Sequence, residues 1–312
     1  MTSELAKSQI SATIVDDIEH LKGTYAGYRR AHARGVCYDA TFTPSGEAAA
    51  LTTAPHLQST PVPATVRFSH TDTNPHLRDA DRAVRGFATK FHLPDGGTTD
   101  LIGVNLDRFV ASTPEQFREL IQAAQPDPVT GKPDLQNVRA YAGAHPTAGP
   151  GLAAAAVIPT PVSYASATYW AIHAFFWRNA AGEACAVKYR WVPDAGNVNI
   201  TPEEGAGWSA THLAEELAER LKAGPAGFTL VIQLGEEGDN TDDSTQVWPA
   251  DRTEITAGHL SITGEAADQE HWADQVFDPT QLPEGIEVSA DPVLAARSTI
   301  YAVSYDRRIH KR

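Results

Sequence analysis

Apolar residues recur with a period of two in short runs separated by turn residues, a pattern that predicts strands along much of the chain. Thr65 to Ser69 follows Pro61 and Pro63 and begins with two β-branched residues. Phe87 to Leu93 alternates cleanly and ends at Pro94-Asp95-Gly96-Gly97, and Asp100 to Ala111 follows directly. Tyr169 to Trp177 is the longest run, with large apolar groups on both faces. Ala184 to Val192 pairs with it across Asn179-Ala180-Ala181-Gly182, a natural hairpin turn. Phe228 to Leu234 and His259 to Thr263 complete the set. About eight strands joined largely by short connections predict an antiparallel barrel.

Three helices are readable against this background. Thr113-Pro114-Glu115-Gln116 is a capping box with proline at the first helical position, opening Pro114 to Ala124. Thr211 to Ala223 places Leu213, Leu217 and Leu221 on one face and stops at Gly224-Pro225. Asp291-Pro292 caps a final helix running toward Ile309. The stretches Gln125 to Ser163 and Gly235 to Asp251 read as loops, and neither resembles an inter-domain linker. The expected class is α+β: one domain over 1–312, a barrel with helices attached and an N-terminal arm over 1–22.

Composition narrows the function classes. The formal net charge of −14 opposes binding to phosphate backbones and anionic lipid surfaces. The longest nearly unbroken apolar run, Leu152 to Ile158, is far too short to span a bilayer. The first residues lack the pattern of a secretory signal, and Cys37 and Cys185 cannot build a disulfide framework. A cytoplasmic protein with two reduced thiols is expected, with no nucleic-acid or membrane partner.

Dinucleotide, P-loop, zinc-protease and serine-hydrolase motifs are absent. Two segments remain as candidates for chemistry. His32 lies between alanines and near Arg29, Arg30 and Arg34, cations that disfavour charging of the imidazole and leave it able to accept a proton. On the last helix Arg297, Tyr301, Tyr305 and Arg308 are spaced four, four and three apart, on one face. That face suits either packing against the barrel or a phenolate held by arginine, a hard ligand for ferric iron.

These segments carry a resemblance. RRAHARG at 29–35 resembles the distal-histidine segment of haem catalases. PATVRFS at 63–69, RGFATKF at 85–91 and DLIGVN at 100–105 are similar to their VRFS, RGFAxKF and DLVGNN segments. The hairpin over 173–191 resembles theirs ending in GEAxYVKF, and 277–305 resembles the stretch ending in the RxxxY helix. The order is kept from about residue 20 to the C-terminus. The resemblance implies a catalase-like barrel, with haem b between the barrel and the C-terminal helix over 291–309.

By position, the resemblance makes His32 the distal acid–base group and Ser69 the hydroxyl that orients its ring. Tyr301 becomes the iron ligand, Arg297 the cation that holds it as phenolate, and Arg29, Arg67 and Arg308 the groups on the haem propionates. Tyr305 stands where the family usually has histidine. Val104 stands at the family's distal asparagine, and Asn105, one place later, reaches the distal pocket only if a bulge resets the register. The chain ends soon after the proximal helix, as in small catalase-related peroxidases. The expected function is therefore reduction of organic hydroperoxides and hydrogen peroxide by a small-molecule electron donor. Catalase activity, fatty-acid hydroperoxide isomerisation and a haem or lipid carrier using the barrel as a cup are the alternatives, and a homo-oligomer is compatible with each.

Overall fold

Tyr38, Ala40 and Phe42 are buried while Asp39, Thr41 and Thr43 between them are exposed, so Gly35–Pro44 (β1) is a half-buried strand. Val62–His70 (β2), Arg85–His92 (β3) and Thr98–Val104 (β4) are instead buried or half-buried on nearly every residue, so both of their faces are covered. After the two-residue strand Thr160–Pro161 (β5) come Tyr169–Arg178 (β6) and Ala184–Pro193 (β7). Asn199–Ile200 (β8) pairs only with β5, and Ala226–Leu234 (β9), Glu254–Glu265 (β10) and Ile286–Val288 (β11) finish the set. This computed structural model describes residues 2–127, 131 and 134–310.

Eight strands close into an antiparallel barrel in the order β1-β2-β3-β4-β6-β7-β9-β10, with β10 returning to β1 and β11 added on β6. The closing seam between β4 and β6 is narrow, a single register pair of Val104 with Trp170. Rings fill the middle of the barrel. Phe68 stacks on Phe87 with centroids 4.7 Å apart, Phe87 lies 4.8 Å from Phe228, and Tyr169 and Trp191 pack around them. The hollow cup that a carrier would need is therefore replaced by aromatic core.

The helices are Thr2–Lys22 (α1), Pro114–Ala123 (α2), Leu135–Ala144 (α3), Gly149–Ala156 (α4), Pro202–Gly205 (α5), His212–Ala223 (α6), Gln269–Asp274 (α7) and Pro292–His310 (α8). Half of the expected α2 capping box forms: Thr113 accepts from the Gln116 N–H at 3.2 Å, while Gln116 Oε1 accepts from the Ser112 N–H at 3.1 Å and not from that of Thr113. One element is added to the expectations and two expectations are corrected. The N-terminal arm is a full helix, packed on α8 and α2 through the completely buried Ile14 and Val15. The stretch Gln125 to Ser163, expected as loop, contains α3 and α4, with 128–130 and 132–133 of it outside the described residues. The strand expected over Asp100 to Ala111 stops at Val104, because Asn105 turns aside to bond the backbone of Arg85.

Candidate active site

Alternation along the strands sends the rings inward and a second set of residues outward, toward α8 and α1. Across β2, β3 and β4 the register aligns Arg67 with Ala88 and Ile102, and Ser69 with Gly86 and Val104. Between this outer face and α8 lies a cleft of about 800 Å³, counting the part open to solvent. Val15 and Ile18 of α1 and Val276 and Phe277 give its edge an apolar lining.

His32 reaches the cleft from the segment before β1. Among the described residues it is the one non-glycine with left-handed backbone, at φ 56°. That conformation carries a steric cost. It is held there by its own N–H donating to Thr71 O at 3.3 Å, by the Ala33 N–H donating to Asp72 O at 3.1 Å, and by Arg67 donating to its carbonyl at 2.9 Å. Its Nδ1 bonds Ser69 Oγ at 2.9 Å, while Nε2 makes no hydrogen bond among the described residues. Gly86 lies directly against the pair: a Cβ there would come within 2.6 Å of His32 Nδ1 and 2.7 Å of Ser69 Oγ. Burial, and then the positive charges of Arg67 and Arg297, push the imidazole down to about 3, so it is neutral across the physiological range.

The helix side of the cleft presents Tyr301. Arg297, one turn earlier, donates to the phenol oxygen from Nε at 2.9 Å and from Nη2 at 2.5 Å. Behind it His173 Nδ1 bonds Asp291 Oδ2 at 2.7 Å, both fully buried. Asp291 Oδ1 also accepts the Val293 N–H at 2.8 Å, so one carboxylate caps α8 and fixes the histidine. In the sequence Asp291 is legible only as a helix cap, with no signal that joins it to His173. No local spacing connects two residues 118 apart.

Arg29, Arg67 and Arg308 also line the cleft. Arg67 donates to the His32 carbonyl, Arg29 to Gln275 O at 2.7 Å, and Arg308 to Asp274 O at 3.0 Å. None of the three has a carboxylate in ion-pair range among the described residues, and the buried Nε of Arg308 has no hydrogen-bond partner there. Burial pulls all three guanidinium groups below their usual range, and each is further disfavoured by at least one arginine of the set or its neighbourhood. Such a cluster is costly by itself and fits a guest with carboxylates. The chemistry of the donor set, with Tyr301 on the same cleft, therefore fits a haem with its two propionates.

Not every sequence candidate arrives at this site. Asn105, expected as a catalytic residue, accepts the Arg85 N–H through Oδ1 at 2.6 Å and does not line the cleft; the bulge that would have turned it inward is absent. Val104 continues the row of Ser69 and Gly86, on the face of β4 toward the cleft, although it too lies outside the cleft lining. His70, beside Ser69, faces the barrel interior, and His173 belongs to the Tyr301 side. Neither replaces His32 as a base on the cleft. Tyr305 does line it, with the Arg308 guanidinium 5.1 Å from its ring centroid.

The family model for catalase matches residues 10–311. The chain belongs to the catalase family. It is 38% identical over 298 residues to a catalase-related peroxidase of Mycolicibacterium paratuberculosis, covering 94% of this chain and 93% of that one. It is 33% identical to a catalase-related peroxidase of Synechococcus elongatus, covering 95% and 87%. A catalase of Vibrio vulnificus is 32% identical, and this chain covers 56% of it. Among solved structures, a bacterial catalase superposes with a TM-score of 0.82 at 23% identity, covering 91% of this chain and 58% of that one. The catalase barrel and its helices are thus the common unit, and the cleft lies on its outer face.

Proposed function

We propose that this catalase-family protein is a haem b peroxidase that reduces organic hydroperoxides and hydrogen peroxide with an external electron donor. The observation that carries the reading is one cleft walled by the Ser69–His32 pair on the barrel side and by Tyr301, held by Arg297, on the helix side, with three guanidinium groups that have no carboxylate partner among the described residues. The resemblance of 33–38% to two catalase-related peroxidases over nearly the whole chain supports it.

Arg29, Arg67 and Arg308 would hold the propionates by charge-assisted pairs, and Tyr301 would be the protein's ligand to the iron. Bound haem supplies the iron redox centre at which the peroxide O–O bond is cleaved. The chain's own part is proton handling. His32 is neutral, and its Nδ1 is occupied by Ser69, so Nε2 takes the proton from the incoming peroxide and returns it to the departing oxygen. Ser69 fixes ring orientation and tautomer. Arg297 keeps the Tyr301 oxygen in two charge-assisted hydrogen bonds. The donor supplies two electrons and two protons, so that a hydroperoxide leaves as alcohol and water.

Val104 in the row of Ser69 and Gly86 offers no amide to a second peroxide. Loss of one hydrogen bond amounts to roughly 0.5–1.5 kcal/mol, about twofold to tenfold in rate. Peroxide-dependent oxidation of a small phenol with weak oxygen evolution is therefore expected of the haem-supplied protein, and Val104→Asn is expected to raise oxygen evolution. Vigorous oxygen release without donor oxidation, recorded with an oxygen electrode and absorbance in one cell, would replace this reading by a catalase.

A further inference from the structure

Lys90 on β3 and Asp100 on β4 form a register pair on the outer face of the barrel, in the row next to Ala88 and Ile102 of the cleft wall. The ammonium meets both carboxylate oxygens, at 2.7 and 2.8 Å, and the two side chains are 7% and 0% exposed. Taking two charges out of water can cost more than their attraction returns, so apolar side chains here would serve stability as well. The function of the pair lies in what else its charges touch.

Two further contacts use those charges, and both end on one segment. Asp100 Oδ2 accepts the Asp278 N–H at 2.8 Å, and the Lys90 ammonium lies 5.1 Å from the ring centroid of Phe277. A cation in a dry site is attracted to the electron-rich face of such a ring. Gln281 completes the attachment, its carbonyl accepting from the Thr99 hydroxyl at 2.9 Å and from the Asp100 N–H at 3.3 Å. The segment lies between α7 and β11 and has neither helix nor strand of its own, so ties of this kind decide where it runs. Its first residues belong to the cleft: Gln275 O accepts from Arg29, and Val276 and Phe277 line the wall.

We infer that Lys90 and Asp100 are positioning residues of the cleft, the carboxylate holding the backbone at Asp278 and the ammonium holding the Phe277 ring at the cleft wall. Both charges act at once, which is why the pair is kept as an ion pair. The inference rests on the haem reading of the cleft, since the wall so fixed is the one the haem would meet.

Lys90→Met/Asp100→Val removes both charges and strands neither, so its melting temperature should stay within a few degrees of wild type. In the haem-free protein, amide exchange over 275–281 should nevertheless quicken about tenfold or more. From the haem-supplied protein, haem should pass to apomyoglobin about tenfold faster, with a shifted Soret band. Phe277→Leu keeps the ion pair and should release haem as fast, and it serves if the charge-free pair does not fold. The three changes together should release haem little faster than either variant, because both act through one contact. Haem transfer at the wild-type rate, unchanged exchange over 275–281, or effects of the pair and of Phe277→Leu that simply add would each overturn the assignment. A wild type that takes up no haem would overturn the reading of the cleft instead, and exchange over 275–281 would still test the placement.

Discussion

His32 combines a left-handed backbone, a ring held by Ser69 and a floor made by a glycine. Its replacement by alanine should leave melting temperature and haem content near wild type while peroxide turnover falls about a hundredfold or more. Because the imidazole is pushed down to about 3, the base form is present at every pH above that value. Turnover should then be flat from pH 5 to 8, whereas a histidine titrating near 6.5 would halve the rate at that pH. Gly86→Ala would drive a methyl into both His32 and Ser69, and is expected to lower turnover at least tenfold with the protein still folded; circular dichroism and a rate assay together check it. His32, Ser69 and Tyr301 were legible as motif positions. The demand for glycine at 86 was not, since a missing Cβ matters only once the ring above it is known. Asn105 shows the converse: one residue of register decides whether an amide meets a substrate or a backbone.

At the scale of elements, the last helix was readable because its chemistry repeats at helical spacing and its cap is local. The structure keeps Arg297 on Tyr301 and brings Tyr301, Tyr305 and Arg308 to the cleft. Helix α1 was not readable: its apolar residues are scattered and make only a weak stripe, and its partner is α8, at the far end of the chain. β1 is not among the expected strands, although its apolar Tyr38, Ala40 and Phe42 alternate with the polar Asp39, Thr41 and Thr43 as a half-buried strand should. What binds α1 is partly electrostatic. Glu19 bonds Arg30 at 2.5 Å and Arg307 at 3.0 Å, and the Arg30 side chain is 3% exposed. Glu19→Ala strands that guanidinium and should cost about 3 kcal/mol of stability, measured by denaturant unfolding. Since Val15 and Ile18 also edge the cleft, the same variant should lower haem retention.

For the whole molecule, the aromatic interior and the closed strand order confine chemistry to the outer face, between barrel and C-terminal helix. Buried histidines set the acid limit of this arrangement. Burial depresses His32 and His56 to about 3 and His70 to about 4. Between those values and about 6.5 the unfolded chain binds more protons than the native one, so stability falls as pH drops through that window. Each histidine adds up to about 1.4 kcal/mol per pH unit there, and Asp100, which burial pushes up to about 6, offsets one of them. Melting temperature should therefore decline steeply below pH 6 and change little from 7 to 8.

On the proposed function, the cleft is a haem site closed by Tyr301. Titrating haem into the purified protein and into Tyr301→Phe, with the absorption spectrum recorded at each step, tests it most directly. Wild type should bind one equivalent and give the spectrum of tyrosine-ligated ferric haem, and the variant should bind with an altered spectrum or not at all. A wild type that takes up no haem, or a variant whose spectrum is identical to wild type, would contradict the account.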